Sequence, residues 1–539
     1  MHDSKPQNRP KIPLILLAAL LASFLLGTWA GGGWGPTPVS GLLPNQFTKF
    51  REIVKLVEGV YVDEPNDSLM TEGAIEGLLE KLDPHSVYIP PDEQSRISER
   101  FDGEFSGIGI QFEIRNELLT VVSPIPGTPA DRMGLRAGDR IVEIDGISAV
   151  GITNDQVVKR LRGPEGSTVN ITVRRNGREP FELELTRGKI PIHSVEAAFL
   201  LSDGITGYMM ISQFTSVTES ELEQALRRLE GEGMERLILD LRGNSGGYRA
   251  QAKEVADRFI QGGEIITTTR GRARGSSDTL WATDAATHPY IPLIVLVNNG
   301  SASASEIVAG AIQDHDRGLI LGQPTFGKGL VQLPFELDDG SVVRITISRW
   351  YTPSGRCVQR PYDEGLGEYL MGAHRNGDDS TAVDTTGTKF YTRTGRVVYG
   401  DNGIMPDVVV DPGPLSDFGA GLLADRVLFN WAQDYADRLG KPSMEFRTFL
   451  RSWSLNSSAI ASFLEYAESE GHPLDEDGWA QDKDFLLMQI KAEIAQRLYN
   501  GRDYLWQVLI DGDATVDSAL TRMGEADKLY RSASLRENG

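Results

Sequence analysis

Apolar residues change their spacing repeatedly along this chain, and each change predicts a different kind of element. A continuous apolar run covers 12–30, behind Lys5, Arg9 and Lys11, and glycine and proline then crowd 31–44. Over 47–82 apolar positions recur at helical spacing (Phe50, Ile53, Val54, Val57, then Ile75, Leu78, Leu79, Leu82), which predicts two or more helices. Asp83-Pro84-His85-Ser86 breaks that pattern. From Phe101 to about residue 188 short β-rich runs alternate with glycine turns. From 205 to 410 apolar strands alternate with helical stretches: 236–241 and 291–297 read as buried strands of an α/β layer, and 219–229, 250–260 and 305–313 as helices. After Pro412-Gly413-Pro414 helical spacing returns and holds to the end, as in Phe485, Leu486, Ile490, Ile494 and Leu498. The pattern predicts an α/β multidomain chain. Its parts are a leading segment and tether over 1–40, an N-terminal helical segment over 41–100 and a β-rich domain over 101–188. An α/β core over 189–413 and a C-terminal helical extension over 414–539 follow.

Length agrees, since 539 residues exceed what one core can serve. The basic flank and apolar run at the N-terminus predict a signal sequence or a single membrane anchor. Positive residues before the run keep that end inside and place the remainder outside the cytoplasm, on the periplasmic side. The run is long for a signal, so an anchor formed by 12–30 is the favoured reading. Thr28 and Ala30 offer a small-residue cleavage site, and cutting after Ala30 would release a soluble periplasmic or secreted protein. Acidic residues outnumber basic ones, 76 to 54, for a net charge of −22, which disfavours nucleic acid as a partner. The single cysteine, Cys357, excludes an internal disulfide framework and a cysteine-clustered zinc site. No metal or other cofactor is expected.

In the β-rich region Gly107-Ile108-Gly109-Ile110 precedes a strand, followed by Pro129-Ala130, Gly138-Asp139 and Ile144-Asp145-Gly146. The series resembles a PDZ domain. A Gly-Φ-Gly-Φ loop exposes backbone N–H groups that can receive a terminal carboxylate, and the strand beyond it can pair with the peptide. Gly107, Ile108, Gly109 and Ile110 are therefore the expected substrate-binding residues, and apolar C-terminal tails of proteins the expected partners.

Three features of the α/β region carry chemistry. The first is Ser301-Ala302-Ser303-Ala304-Ser305-Glu306 at a strand-to-helix turn, where the positive helix end and its free N–H groups can hold an oxyanion. Ser303 with Glu306 also reads as a capping box. The second is Gly322-Gln323-Pro324-Thr325-Phe326-Gly327-Lys328-Gly329. It nearly matches a phosphate-binding loop, but Gly329 stands where Ser or Thr is needed, and a strand-like run follows instead of a helix. A lysine in such a turn can lose its charge by desolvation and serve as a general base, with Gln332 four residues on to orient it. A solvated surface charge is the plainer reading of Lys328 alone. The third is Asp240-Leu241-Arg242-Gly243-Asn244-Ser245-Gly246-Gly247, a glycine turn at a strand's carboxyl end. His315 cannot complete a triad with Ser303, because twelve helical residues separate them by roughly 18 Å. His85 stays open as another base, and Cys357 has no histidine nearby in sequence.

Together with Asp83 to Ser86, Tyr351-Thr352-Pro353-Ser354-Gly355-Arg356 and Gly403-Ile404-Met405-Pro406-Asp407, these motifs resemble the C-terminal processing peptidases, or tail-specific proteases, over about residues 45–412. The resemblance implies a serine endopeptidase in which Ser303 is the nucleophile and Lys328 the general base, supported by Gln332. It implies an oxyanion hole made by the N–H groups of Ala304 and Gly246, and places Asp314 in or near the site. The stretch 363–396 is a polar insertion between two core motifs where many relatives have a shorter connection, and the tail from 415 lies outside the common core. Terminal helices in related enzymes assemble dimers, so a homodimer, an adaptor contact or regulation are the readings of that tail. An inactive PDZ scaffold and a retinoid- or lipid-binding core are the alternatives to catalysis.

Overall fold

The computed structural model describes residues 44–537 apart from 137, 176, 285, 364, 366, 368 and 370–386. The apolar run 12–30, the cleavage position after Ala30 and most of the insertion 363–396 lie outside the described residues. Among the described residues no helix is long and apolar enough to cross a membrane. The chain divides into two compact units between Ile75 and Glu76. The smaller holds the helix Pro44–Val60 and the start of Asp67–Leu79. Residues 76–100, expected with the N-terminal helices, belong to the larger unit, where Val87–Ile89 pairs antiparallel with Val342–Tyr351.

The centre of the larger unit is a six-stranded sheet. Val195–Leu200 runs antiparallel to Thr206–Ile211, and Arg236–Asp240, Leu293–Val297, Leu319–Gly322 and Val408–Val409 add in parallel, each beside the last. All five residues of Leu293–Val297 are buried, as a parallel strand covered on both faces requires. The helices expected at 219–229, 250–260 and 305–313 are Thr218–Gly231, Arg249–Asp257 and Ala304–Asp314. Strands added in one direction by right-handed crossovers place their helices on one face. On that face Leu237, Leu239, Val295 and Val297 share a core with Leu222, Leu226, Val255 and Ile307.

The other face would then lie bare, and the C-terminal helix Ala514–Glu537 covers it. Ile238, Ile294, Leu296 and Leu321 form one core with Val516, Ala519, Met523 and Ala526. A homodimer, an adaptor contact or regulation is the expectation for the tail, yet its last helix completes the central sheet. Its other helices, from Asp417–Ala424 to Arg502–Ile510, have their own core around Trp431, Phe449, Phe463, Leu486 and Ile490. Met523→Ala, a cavity under the central strands, is expected to cost about 2–4 kcal/mol. Chemical unfolding should show the loss in the transition that unfolds the central sheet; a tail independent of the sheet would lose stability without affecting that transition.

The β-rich domain has the strand order Ile110–Arg115, Leu118–Pro124, Arg140–Ile144, Thr168–Arg174, Phe181–Thr186, around Leu119, Val121, Ile141, Ile144, Val157 and Ile171. The strand after the glycine loop, Ile110–Arg115, is at the sheet edge and pairs only with Leu118–Pro124.

Candidate active site

The strand Leu293–Val297 ends at the carboxyl edge of the sheet, and the chain turns through 298–303 into the helix Ala304–Asp314. The three serines of this turn differ sharply. Ser301 is buried and its hydroxyl donates to Leu241 O at 2.8 Å, while buried Ser305 donates to Asn244 O at 2.8 Å. Both stitch the turn to the Asp240–Gly247 loop. Ser303 is half-buried, is engaged with neither carbonyl, and has φ 54° and ψ −109°. Such a backbone costs a side-chain-bearing residue about 1–3 kcal/mol and persists only where its surroundings enforce it. Ser303→Gly should therefore be more stable by about 1 kcal/mol, measured as an increase in the urea midpoint. A midpoint at or below that of the parent would show that no strain is stored there.

What enforces the turn is Glu306. Its Oε2 accepts the backbone N–H of Ser303 at 2.7 Å and that of Lys328 at 2.9 Å; its Oε1 accepts the N–H of Gly327 at 2.7 Å and the Thr325 hydroxyl at 2.6 Å. Glu306 is fully buried, and that burial pushes its carboxyl above the ordinary range although all four bonds pull it down. One carboxylate oxygen thus holds the serine turn and the lysine loop together. The loop is clamped further by Trp350 Nε1, which donates to Lys328 O, and by Gly329 N, which donates to Gln359 Oε1. Burial, reinforced by Arg344, lowers the Lys328 ammonium from 10.5 to about 8, with Glu306 and Asp83 opposing. Desolvation makes a neutral amine accessible near physiological pH.

Sequence comparison meets this geometry. Residues 205–367 match peptidase family S41, 120–175 a PDZ domain, 37–93 the N-terminal domain of the activating protease CtpB, and 421–500 a family of unknown function. The chain is 36% identical over 372 residues to the carboxy-terminal-processing protease of Bartonella bacilliformis, covering 65% of this chain and 85% of that one. It is 33% identical over 317 residues to carboxy-terminal processing protease CtpA of Bacillus subtilis, covering 59% and 67%. A solved photosystem II D1 C-terminal processing protease is 29% identical, with a TM-score of 0.36, covering 69% of this chain and 89% of that one. The chain belongs to the carboxy-terminal processing proteases of peptidase family S41. It is a serine-type peptidase with a PDZ domain ahead of its core.

The remaining expected residues of this S41 peptidase fall in several places. Lys328 is followed by the strand Leu330–Glu336, so no helix continues a phosphate loop. Gln332 sits at a register shift between Val331 and its neighbour in the pairing with Val342–Tyr351. Its Nε2 donates to Thr346 Oγ1 at 3.3 Å, and that hydroxyl donates to Asp83 Oδ1 at 3.0 Å.

Ala304 opens the helix, where N–H groups have no intrahelical acceptor. Gly246 lies against the nucleophile turn, since a Cβ there would be 2.9 Å from Ser303 Cβ and 3.0 Å from Ala304 N. Its N–H, expected in the oxyanion hole, donates instead to Asn244 Oδ1 at 2.9 Å. Asn244 is fully buried with its Nδ2 bonded to Ile211 O at 2.8 Å, so its oxygen needs an internal donor, and Gly246 supplies it.

Asp83-Pro84-His85-Ser86 is an Asx turn set against Val342–Tyr351. Asp83 Oδ1 accepts the N–H groups of His85 and Ser86, and Thr346 N donates to Ser86 Oγ. His85 pairs with the Tyr369 hydroxyl at 2.8 Å and not with Ser303; burial and the nearby Lys328 charge push it down to about 4. His315 is at the far end of the serine helix, bonded to Ile265 O. Asp314 forms a buried ion pair with Arg356 at 2.7 Å, a structural role. Burial pushes the Cys357 thiol up, away from nucleophilic use.

In the PDZ domain Gly107, Ile108 and Gly109 are buried and Ile110 begins the edge strand. Ile108 O accepts Ala130 N, and Gly109 O accepts Ile125 N and the Thr128 hydroxyl. Gly109 has φ 81°, and a Cβ there would lie 2.3 Å from Thr128 Cβ. Only glycine fits this loop without displacing its backbone.

Glu306, Asn244 and Tyr369 are neighbours of the candidate site residues or of His85 that the sequence pattern did not single out for it. The Glu306 signal was present as the fourth letter of the capping box; that it also gathers residues 325–328 is a long-range fact.

Proposed function

We propose that the protein is an endopeptidase that captures apolar C-terminal tails of protein substrates in its PDZ domain and cleaves them with a Ser303/Lys328 dyad. The observation that carries this reading is the single Glu306 oxygen holding the backbone N–H groups of both residues. The neutral Lys328 amine takes the Ser303 hydroxyl proton as Oγ attacks the scissile carbonyl carbon. The oxyanion meets the Ala304 N–H at the positive helix end. A second donor comes from Gly246 only by exchange of its bond to Asn244 Oδ1. The Lys328 ammonium then protonates the leaving amine, giving an acyl-Ser303 ester. Water, deprotonated by the same amine, hydrolyses that ester. Gln332 steadies the amine through its carbonyl oxygen. Neither metal nor other cofactor takes part.

The tail carboxylate enters the Gly107 to Ile110 loop, and the peptide pairs with the free edge of Ile110–Arg115. The relatives' names speak of carboxy-terminal processing, which accords with tail capture. The protein works outside the cytoplasm, held at the membrane by residues 12–30 or released by cleavage after Ala30. The basic flank and the apolar run support that placement. Terminal helices serve a homodimer or an adaptor.

The test uses protein lacking residues 1–40 and an unfolded substrate ending in apolar residues. The parent should cleave it and Ser303→Ala should not. Gly109→Ala should bind a fluorescent tail peptide at least about tenfold more weakly. Cleavage by Ser303→Ala, or unchanged tail affinity in Gly109→Ala, would refute the corresponding half of the reading.

A further inference from the structure

Within the polar stretch 363–396, Tyr369 is fastened into the core. It is 2% exposed, although it belongs to a stretch whose composition predicts a solvated loop. Its hydroxyl is 2.8 Å from His85 Nε2 and accepts from Gln359 Nε2 at 3.4 Å. Its ring meets three others edge to face: Phe326 at 5.3 Å, His85 at 5.5 Å and Tyr362 at 6.1 Å. These partners surround Lys328. Phe326 lies two residues before it, and Gln359 accepts the N–H of Gly329 one residue after it. The Arg360 guanidinium lies 5.5 Å from the Phe326 ring, and its backbone N–H donates to Gly327 O at 2.9 Å. Tyr369 thereby adds an aromatic cover to a loop whose backbone the rest of the core holds by hydrogen bonds with Glu306, Trp350 and Gln359.

We propose that Tyr369 is a positioning residue whose ring seals the Lys328 loop from water and keeps the base desolvated. This deepens the Ser303/Lys328 reading and rests on it. The charged and titratable groups facing Lys328 are Arg344 on the strand Val342–Tyr351, Glu306 on the serine helix, and Asp83 and His85 on the Asx turn. Those facing Tyr369 are Glu306, Arg360, Tyr362 and His85. Burial holds the Tyr369 hydroxyl up at about 12 and His85 down at about 4, so neither titrates between pH 6 and 10. Within that window the acidic limb of activity is assigned to Lys328, an assignment that Lys328→Ala tests. Opening the cover hydrates the ammonium and moves its titration back toward the free-lysine value.

The test is the pH dependence of kcat/KM from pH 6 to 10 for the parent, Tyr369→Ala, Tyr369→Phe and Lys328→Ala. Tyr369→Ala should shift the acidic limb upward by about one pH unit, an approximately tenfold loss at pH 7 that disappears at the alkaline end. Tyr369→Phe keeps the ring and should restore the parent limb. A merely structural role would lower activity by the same factor at every pH, and that result, or an unmoved limb in Tyr369→Ala, would overturn the proposal. If Lys328→Ala retains the parent's rate and limb, the dyad reading itself fails. If it is inactive while the Tyr369→Ala limb stays put, only the role of Tyr369 fails. Competitive acetylation of Lys328 across the same pH range, in Ser303→Ala and Ser303→Ala/Tyr369→Leu, reads the titration without activity. An upward shift in the double variant supports the proposal, and superimposable curves refute it.

Discussion

Lys328→Ala will fold and will lose about 10²- to 10⁴-fold in kcat/KM, the range that a positioned general base supplies. The fold survives because the core holds this loop by its backbone: Lys328 N to Glu306, Lys328 O from Trp350, and Gly329 N to Gln359. The side chain contributes a half-buried amine titrating at about 8. Neutral amine increases as pH rises through that value, so the parent's kcat/KM should climb about tenfold per pH unit below pH 7 and level off above 8. Lys328→Arg should be as inactive as the alanine variant, because a guanidinium stays protonated throughout. Rates over pH 6–10 with an unfolded substrate check both statements. A Lys328→Ala enzyme with the parent's pH profile would return the base to another group.

The second large effect falls on a residue that touches no substrate. Glu306→Gln preserves the shape and removes one acceptor, so an amide NH₂ must face either the Ser303 and Lys328 N–H groups or the Gly327 N–H and Thr325 hydroxyl. Donor meets donor in both orientations. Each buried group left without a partner costs about 1–3 kcal/mol, and the positive-φ turn at Ser303 loses what enforces it. The expected result is at least a 100-fold fall in kcat with KM nearly unchanged, together with a lower unfolding temperature. Glu306→Asp keeps the charge but shortens the reach, and should fail to restore the rate. Near-normal kcat in Glu306→Gln would mean that the two loops are aligned by something other than this carboxylate.

The contrast between these residues explains what could be read from the chain beforehand. Ser303, Ala304 and Lys328 stood out because a strand-turn-helix and a glycine loop are local patterns, but their assigned roles came from the family resemblance, since alone Ser303 reads as a helix cap and Lys328 as a surface charge. The clamp was not, because a capping box at 303–306 looks the same whether or not its glutamate also gathers a loop about twenty residues later. Gly246 was placed correctly beside the serine, but its N–H follows the needs of buried Asn244, which sequence spacing does not disclose. The tail gives the clearest lesson. The strand Arg236–Asp240 is apolar on both faces, with Leu237 and Leu239 on one and Ile238 on the other. That demands cover for the second face, and the matching positions Ala519, Met523 and Ala526 were present in the last helix. Helical periodicity identifies such a face but not what it packs against. Tyr369 was hidden for the opposite reason, as one aromatic in a polar insertion whose composition argues for solvent.

The claim on which the mechanism stands is that acyl transfer passes through Ser303. Rapid acid quenching of the parent with an activated ester substrate, followed by proteolytic digestion and mass spectrometry, measures that directly. The account predicts one acyl group on the peptide containing Ser303, formed quickly in the parent and absent from both Ser303→Ala and Lys328→Ala. Acylation of Cys357 or of a different serine during turnover, or turnover with no covalent species at any quench time, would contradict it.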